Sequence, residues 1–346
     1  MRGLSIGLAA LVSVARLASA DWDEQLFYAK PNQVFTIRAP QPGAATDTVV
    51  GAPRLYRVRK GDTYLDLARY FGLGYNEIAE ANPGLDPWVP PVGATILLPT
   101  EWVLPCCTYE GVVVNVPEMR LFYYRRSAED PGAVTVQTYP VGLGRDDWQT
   151  PSGKFRVTGK TVDPQWNIPA SIRQEHIRER GDHRTFIPGG APDNPLGKYR
   201  LELSLPMYRI HGTDIPWGVG MQVSHGCVRL YPEDIERLFP LVSIGTTGEF
   251  SYQTVKAGRR GDAVFVELHE DIYSKTPARY RTAMTELERQ GLTGGVDQGL
   301  LYSALEDTAG LPYRVTPDPS APRLATPAEW NGDGATRPDR VQARDD

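Results

Sequence analysis

Between residues 111 and 270 the chain is cut into short β-branched and aromatic runs by turn residues, and this constrains the fold most. Gly111–Val116 and Arg120–Tyr124 flank the turn Pro117-Glu118-Met119. Val134–Val141 and Lys154–Val162 follow, with Pro151-Ser152-Gly153 as the turn between them. A long irregular stretch carries a helix at Ser171–Arg180. Strand character returns over Leu201–Ile210, Ser224–Leu230, Glu249–Val255 and Ala263–His269. Pro232-Glu233-Asp234 opens a short helix with acids in its first turn, where the helix dipole favours them. Sustained strand–helix alternation is absent, so the pattern predicts a mainly β domain over a doubly wound one. Thirty-four Gly and 30 Pro among 346 residues argue equally against a helical bundle.

Residues 55–99 follow a different order: strand, helix, helix, strand. Tyr56-Arg57-Val58 is a strand, and Gly61-Asp62 turns. Asp62 or Thr63 caps a helix carrying Leu65, Leu67, Ala68 and Phe71, which ends near Gly72. A second helix uses Ile78 and Ala79 and stops by Asn82-Pro83-Gly84; Gly93 leads into Ile96-Leu97-Leu98. This βααβ unit reads as separate, joined onward by a linker around Glu101–Tyr109.

The flanking regions are plainer. Residues 1–20 have a thin positive start at Arg2, an apolar run from Leu4 to Val14 and an A-x-A site at Ala18-Ser19-Ala20, which predicts a signal peptide cleaved before Asp21. The run is too short to span a bilayer. Residues 21–54 form an N-terminal segment with few periodic stretches. Residues 256–316 form a C-terminal extension with a helical pattern from Ala283 to Leu305, and 317–346 form a disordered tail rich in Pro, Ala, Arg and Asp. The formal charge of −5 becomes −7 once Arg2 and Arg16 leave with the leader. A mildly acidic protein is a poor nucleic-acid binder, so no nucleic-acid partner is expected.

The chemistry gathers late in the chain. Cys227 stands apart from Cys106 and Cys107, and an odd cysteine in an exported chain suggests a reactive thiol. His225 lies two residues before it, on the same face if the segment is extended. His211 lies sixteen residues before it, at a strand end followed by Gly212. The Gly-rich loop Thr213–Val223 can fold that strand end back beside Cys227, and Gly226 permits close approach. A cysteine nucleophile with an imidazole base is the chemistry this spacing supports. The alternatives are a buried inert cysteine, or a metal site, for which no C-x-x-C or H-E-x-x-H motif is present. No metal or cofactor is expected.

The stretch His211-Gly212-Thr213, then Ser224-His225-Gly226-Cys227-Val228-Arg229-Leu230, resembles the signature of L,D-transpeptidases with a YkuD-type catalytic domain. Asp193-Asn194-Pro195-Leu196-Gly197 and Pro232-Glu233-Asp234-Ile235 also match, and the likeness covers residues 111–255. Residues 55–99 resemble LysM, through Tyr56, Val58, Gly61-Asp62-Thr63, Leu67-Ala68, Ile78, Asn82, Gly93 and Leu98-Pro99. The whole chain is similar to the ErfK/YbiS group of Gram-negative periplasmic enzymes, in which Arg229 stands where the wider family has Asn.

The resemblance implies a YkuD-like β-sandwich with short helices, a LysM domain that holds peptidoglycan glycan, and a periplasmic location. It implies Cys227 as nucleophile and His211 as proton donor and acceptor, oriented by a backbone carbonyl near Gly212, with His225 as a competing base. Amides around His225, Gly226 and Cys227 would hold the oxyanion. Arg229 and Ser224 are expected at the substrate, Arg229 as a fork for a stem carboxylate, with an ordinary salt bridge as its alternative. Trp148, Trp166 and Trp217 are candidate cleft residues. The donor would be a peptidoglycan tetrapeptide stem, cut at its L–D bond through a thioester. Acceptors would be the lysine of an outer-membrane lipoprotein, a second stem in 3–3 cross-linking, or water in carboxypeptidase or amidase activity. The rival from another class is a non-catalytic wall-binding adaptor. A monomer is expected.

Overall fold

The computed structural model describes residues 22–39, 46–106, 108–276 and 278–317. The expected leader and nearly all of the expected tail lie outside them. Residues 21–54, read as mostly irregular, hold α1 (Glu24–Tyr28), β1 (Val34–Arg38) and β2 (Val49–Gly51). The βααβ unit is β3 (Arg54–Arg57), α2 (Tyr64–Phe71), α3 (Tyr75–Glu80) and β4 (Thr95–Leu98). Thr63 supplies the cap of α2, its hydroxyl accepting from Asp66 N–H at 3.1 Å, and Gly72 closes the helix at φ 69°. The expected linker contains instead β5 (Glu101–Val103), antiparallel to β2.

The main domain runs through β6 (Gly111–Asn115), β7 (Arg120–Arg126), β8 (Ala133–Pro140), β9 (Leu143–Gly144), β10 (Gly153–Val162), β11 (Trp166–Asn167), α4 (Ala170–Arg180), β12 (Phe186–Ile187), β13 (Tyr199–Leu203), β14 (Arg209–His211), β15 (Gln222–Ser224), β16 (Val228–Arg229), α5 (Pro232–Leu238) and β17 (Thr247–Ser251). Nine strands form one sheet in the order β1-β8-β7-β6-β17-β10-β13-β14-β16. The β6–β17 and β14–β16 pairs are parallel and the others antiparallel. The molecule is mainly β.

Three expected strands are broken, each for a local reason. Leu201–Ile210 is a hairpin of β13 and β14, because Pro206 interrupts it and Met207 takes φ 70°. Ser224–Leu230 divides at Gly226, φ 99°, into β15 and β16. Glu249–Val255 divides after Ser251, and its last residue begins β18 (Val255–Arg260). β18, β19 (Ala263–Leu268) and β20 (Pro312–Arg314) make a small sheet. It shares an apolar core with α6 (Arg279–Arg289) and α7 (Gln298–Leu305).

All five residues of β6 are buried, which explains its unbroken Val-Val-Val. Val112 and Val114 join a core with Leu201, Ile210 and Val228 on one face of the sheet. Val113 joins Phe122 and Val136 on the other, in one core with Tyr56, Leu67 and Ile78 of the βααβ unit. That unit is therefore the second cover of the sheet. Buried charges fix its seat. Arg120 Nη2 lies 2.6 Å from Glu77 Oε2, and Arg69 Nη2 lies 2.9 Å from Glu233 Oε2 on α5. Lys30 Nζ reaches both Glu233 (3.0 Å) and Asp234 (2.9 Å).

Candidate active site

The β14–β16 pairing creates the site. Ile210 stands opposite Val228 and His211 opposite Arg229 in parallel register. Cys227 immediately precedes β16, so continuing the same register sets it beside Arg209 and diagonal to His211. The loop from Thr213 returns through a short 3-10 turn at Pro216–Gly218 and is pinned by Gly220 N–H to Val141 O at 3.1 Å.

His211 is buried, and its Nδ1 lies 2.7 Å from Gly212 O. A carbonyl only accepts, so Nδ1 carries the proton and Nε2 presents a lone pair. Burial pushes the imidazole down to about 3, and the Arg229, Arg200 and Arg209 cations add to this against the Gly212 carbonyl. Burial also raises the Cys227 thiol above its ordinary value; the Arg209 backbone N–H and the Arg229, Arg209 and Arg200 charges oppose it. The resting pair is thus a neutral thiol beside a neutral base. Sγ donates to Met207 O at 3.7 Å. Cys227 is a free thiol, whereas Cys106 is disulfide-bonded.

The turn at 225–227 separates residues expected to share a face. Gly226 at φ 99° breaks the extended chain between His225 and Cys227, and the two side chains have different partners. A Cβ on Gly226 would stand 2.8 Å from the Tyr208 ring, so what crowds this glycine is a side chain rather than a ligand. His225 Nε2 lies 3.0 Å from Glu175 Oε2 and 3.2 Å from Arg145 Nη2, and its ring packs edge-on to Trp148. Hydrogen bonds from His225 and Arg145 hold the Glu175 carboxyl below its ordinary value despite burial. Ser224 corrects another expectation. It is buried, its hydroxyl donates to Cys227 O at 2.6 Å and accepts from Gly226 N–H at 3.1 Å, so it holds the turn rather than facing substrate. That bond also occupies the Gly226 amide expected among the oxyanion donors.

Among the described residues Arg229 has no salt-bridge partner, contrary to its ordinary alternative. Its backbone is fixed by two bonds to Gly142, yet its buried Nε has no partner. Trp166 packs on His176 beside a small satellite cluster with Ile168 and Ile172. Trp217 lies on the 213–223 loop with Nε1 unpartnered. Sequence reasoning missed Arg209, Arg200, Asp214, Arg145 and Glu175. Strand alternation back from His211 gives Arg209, and cross-strand pairing gives Arg200 opposite His211. Glu175 had no local signal, because only the tertiary fold sets α4 beside the cysteine turn.

Among the described residues one group could offer three metal ligands, Glu118, Glu267 and His269, all buried. Lys256 Nζ lies 2.8 Å from Glu118 and 2.7 Å from Glu267, so the cation those acids require is already a side chain. Among these residues no helix is long and apolar enough to cross a membrane.

Residues 110–255 match the YkuD model, described as an L,D-transpeptidase catalytic domain, and 56–99 match the LysM domain. The chain is 34% identical over 279 residues to "Probable L,D-transpeptidase YbiS" of Escherichia coli K12, covering 77% of this chain and 88% of that protein. It is 33% identical to "Probable L,D-transpeptidase ErfK/SrfK" of Salmonella typhimurium, covering 78% and 88%. The solved catalytic domain of an Enterococcus faecium L,D-transpeptidase is 19% identical, with a TM-score of 0.28 over 41% of this chain and 95% of that one. That last likeness is too slight to build on. The identity and extent of the first two, with the matched catalytic domain around Cys227 and His211, make this chain an enzyme of the L,D-transpeptidase family that also carries a LysM domain.

Proposed function

We propose that the enzyme acts on peptidoglycan tetrapeptide stems through a thioester on Cys227. His211 Nε2 accepts the thiol proton as sulfur attacks the carbonyl of the third, L-centred residue. The C–N bond to terminal D-Ala breaks, and His211 returns the proton to the departing amine. An acceptor amine then attacks the thioester, giving its proton to His211 and releasing the thiol. The observation that carries this reading is the 2.7 Å Nδ1–Gly212 contact, which leaves the Nε2 lone pair free to accept a proton on the strand neighbouring the cysteine. The amides of His225 and Cys227 are the candidate oxyanion donors, and Arg229 is the candidate fork for a stem carboxylate. His225 serves as a positioning residue through Glu175 and Arg145.

The A-x-A segment supports export, and kinship with enteric bacterial proteins supports a periplasmic setting. The LysM domain supports glycan binding, and the proposed acceptor is the lysine of an outer-membrane lipoprotein, transferred to by a monomeric enzyme. Incubating the purified protein with tetrapeptide muropeptides, with and without acceptor amines, and identifying products by mass tests all of this. Cys227→Ala should abolish turnover while leaving the fold intact, and His211→Ala should impair it more than His225→Ala. Equal product from Cys227→Ala and wild type would remove Cys227 as the nucleophile, and no product from either would leave a wall-binding adaptor; products formed with water or a second stem would reassign the acceptor.

A further inference from the structure

Asp214 follows the His211-Gly212-Thr213 strand end, and Arg229 lies opposite His211 on β16. Each acts electrostatically on the other, yet no ion pair joins them. Asp214 Oδ1 is buried with no hydrogen-bond partner, and so is Arg229 Nε. Both backbones are held. Arg229 exchanges two bonds with Gly142, at 2.8 and 2.9 Å, and Thr213 Oγ1 accepts from Ile215 N–H at 3.0 Å around Asp214. Two opposite charges are therefore held within electrostatic reach of each other, Arg229 also acting on the thiol, each partly out of water and neither paired with the other. Such an arrangement is costly for the empty fold and is met by a ligand that brings one charge of each sign. A carboxylate alone would answer Arg229 and leave the Asp214 oxygen unpaired.

We propose that Asp214 and Arg229 together clamp the zwitterionic end of an α-amino acid, Asp214 taking the ammonium and Arg229 the carboxylate. The proposal rests on Cys227 as the acyl-transfer nucleophile and names what that site reads. Two sources share this chemistry. One is a donor stem whose third residue ends in a free amine and carboxylate on one carbon. The other is a free amino acid entering as acceptor, its ammonium losing one proton to the Asp214 carboxylate before the amine attacks and the second to His211 on attack.

The test uses the full chain and three synthetic tetrapeptide donors. Their third residue is diaminopimelate, free in the first, acetylated on the distal amine in the second, and amidated on the distal carboxylate in the third. D-Ala release at saturating glycine amide gives kcat/KM for each. Losing one charge-assisted contact should cost the wild type about tenfold or more. Asp214→Asn should erase the preference against the acetylated donor, and Arg229→Gln that against the amidated donor. A second arm holds the amidated donor constant and compares D-alanine with D-alanine amide as acceptor. A preference found only there, and lost in Arg229→Gln, assigns the clamp to the acceptor. Wild-type enzyme that turns over all donors and acceptors alike overturns the clamp while sparing the acyl-transfer reading. So does a preference that both variants retain. Enzyme that releases D-Ala from none of them overturns both. The donor comparison is made on wild-type protein, so it stands even if a variant folds poorly.

Discussion

The seat of the LysM domain can be tested at Glu77. Its Oε1 accepts from Arg120 Nε at 3.0 Å and from Trp102 Nε1 at 3.1 Å. Its Oε2 accepts from Arg120 Nη2 and from Gly74 N–H, both at 2.6 Å. The Arg120 side chain is 0% exposed and that of Glu77 9%. Glu77→Ala would strand the guanidinium in the shared core with only Gly72 O and Thr138 Oγ1 as acceptors. It would also leave the Trp102 indole N–H unpaired and α3 uncapped. Breaking one side of a buried pair costs about 3–5 kcal/mol, a large share of a typical folding free energy. Replacing both partners with apolar residues removes the stranded charge. Glu77→Leu with Arg120→Met should therefore cost less than either single change, about 1–3 kcal/mol for the lost cap and indole bond.

Urea unfolding followed by tryptophan fluorescence and by far-ultraviolet circular dichroism measures this. The two transitions should coincide, because the LysM domain and the sheet share a core. Single variants within about 1 kcal/mol of wild type, or a double variant that costs the sum of the singles, would refute the reasoning. Two separated transitions in the wild type would refute the shared core itself.

Three shorter expectations accompany it. Burial, then the Glu270 and Glu77 charges, raises the Glu80 carboxyl from 4.5 to about 8. Over that window the folded state binds more protons than the unfolded one, so stability should fall as pH rises from about 4.5 to about 8. Glu80→Gln should flatten the slope of urea midpoint against pH, and an unchanged slope would count against the assignment. Gly226→Ala should destabilise by about 1–3 kcal/mol and depress turnover, since φ 99° and the Tyr208 ring both resist a Cβ; wild-type activity and melting would contradict this. A carbapenem, presenting a strained carbonyl to the free thiol, should add one drug mass to the tryptic peptide of Cys227 and none to that of the disulfide-bonded Cys106; label on the Cys106 peptide alone would remove Cys227 as nucleophile.

Local signals carried far in this chain, and failed where the cause was tertiary. Thr63 and Gly72 mark the ends of α2 because capping and left-handed closure are properties of a few adjacent residues. The Val-Val-Val of β6 shows a strand buried on both faces, but not what covers the second face. That cover comes from residues 22–39 and the LysM domain, through pairings such as Val34 with Gln137 and contacts such as Glu77 with Arg120, distant in sequence. The pairing of the strand ending at His211 with the one following Cys227 was legible because a Gly-rich loop joins the two strand ends. The orientation of His225 was not. Period-two alternation assumes an extended chain, and Gly226 breaks it.

The fixed seat of the LysM domain also bears on how such an enzyme would meet its polymer. Tyr75 N–H, at the start of α3, donates to Val219 O at 3.2 Å, and a Cβ on Gly74 would stand 2.9 Å from the Gly220 Cα. Val219 and Gly220 belong to the loop that runs from His211 to the cysteine turn. Tyr231, next to β16, donates its hydroxyl to Leu73 O at 3.2 Å. The domain proposed to hold glycan and the loop that shapes the acyl-transfer site are thus in direct contact. A tethered module would raise the local concentration of glycan over every distance its linker allows. A seated one sets a single distance and angle between the held strand and Cys227, so only stems projecting at the right place along that strand would reach the thiol. Lengthening the chain between β4 and β5 with a flexible insert would then relax nothing, because the buried pairs rather than the connection hold the domain in place.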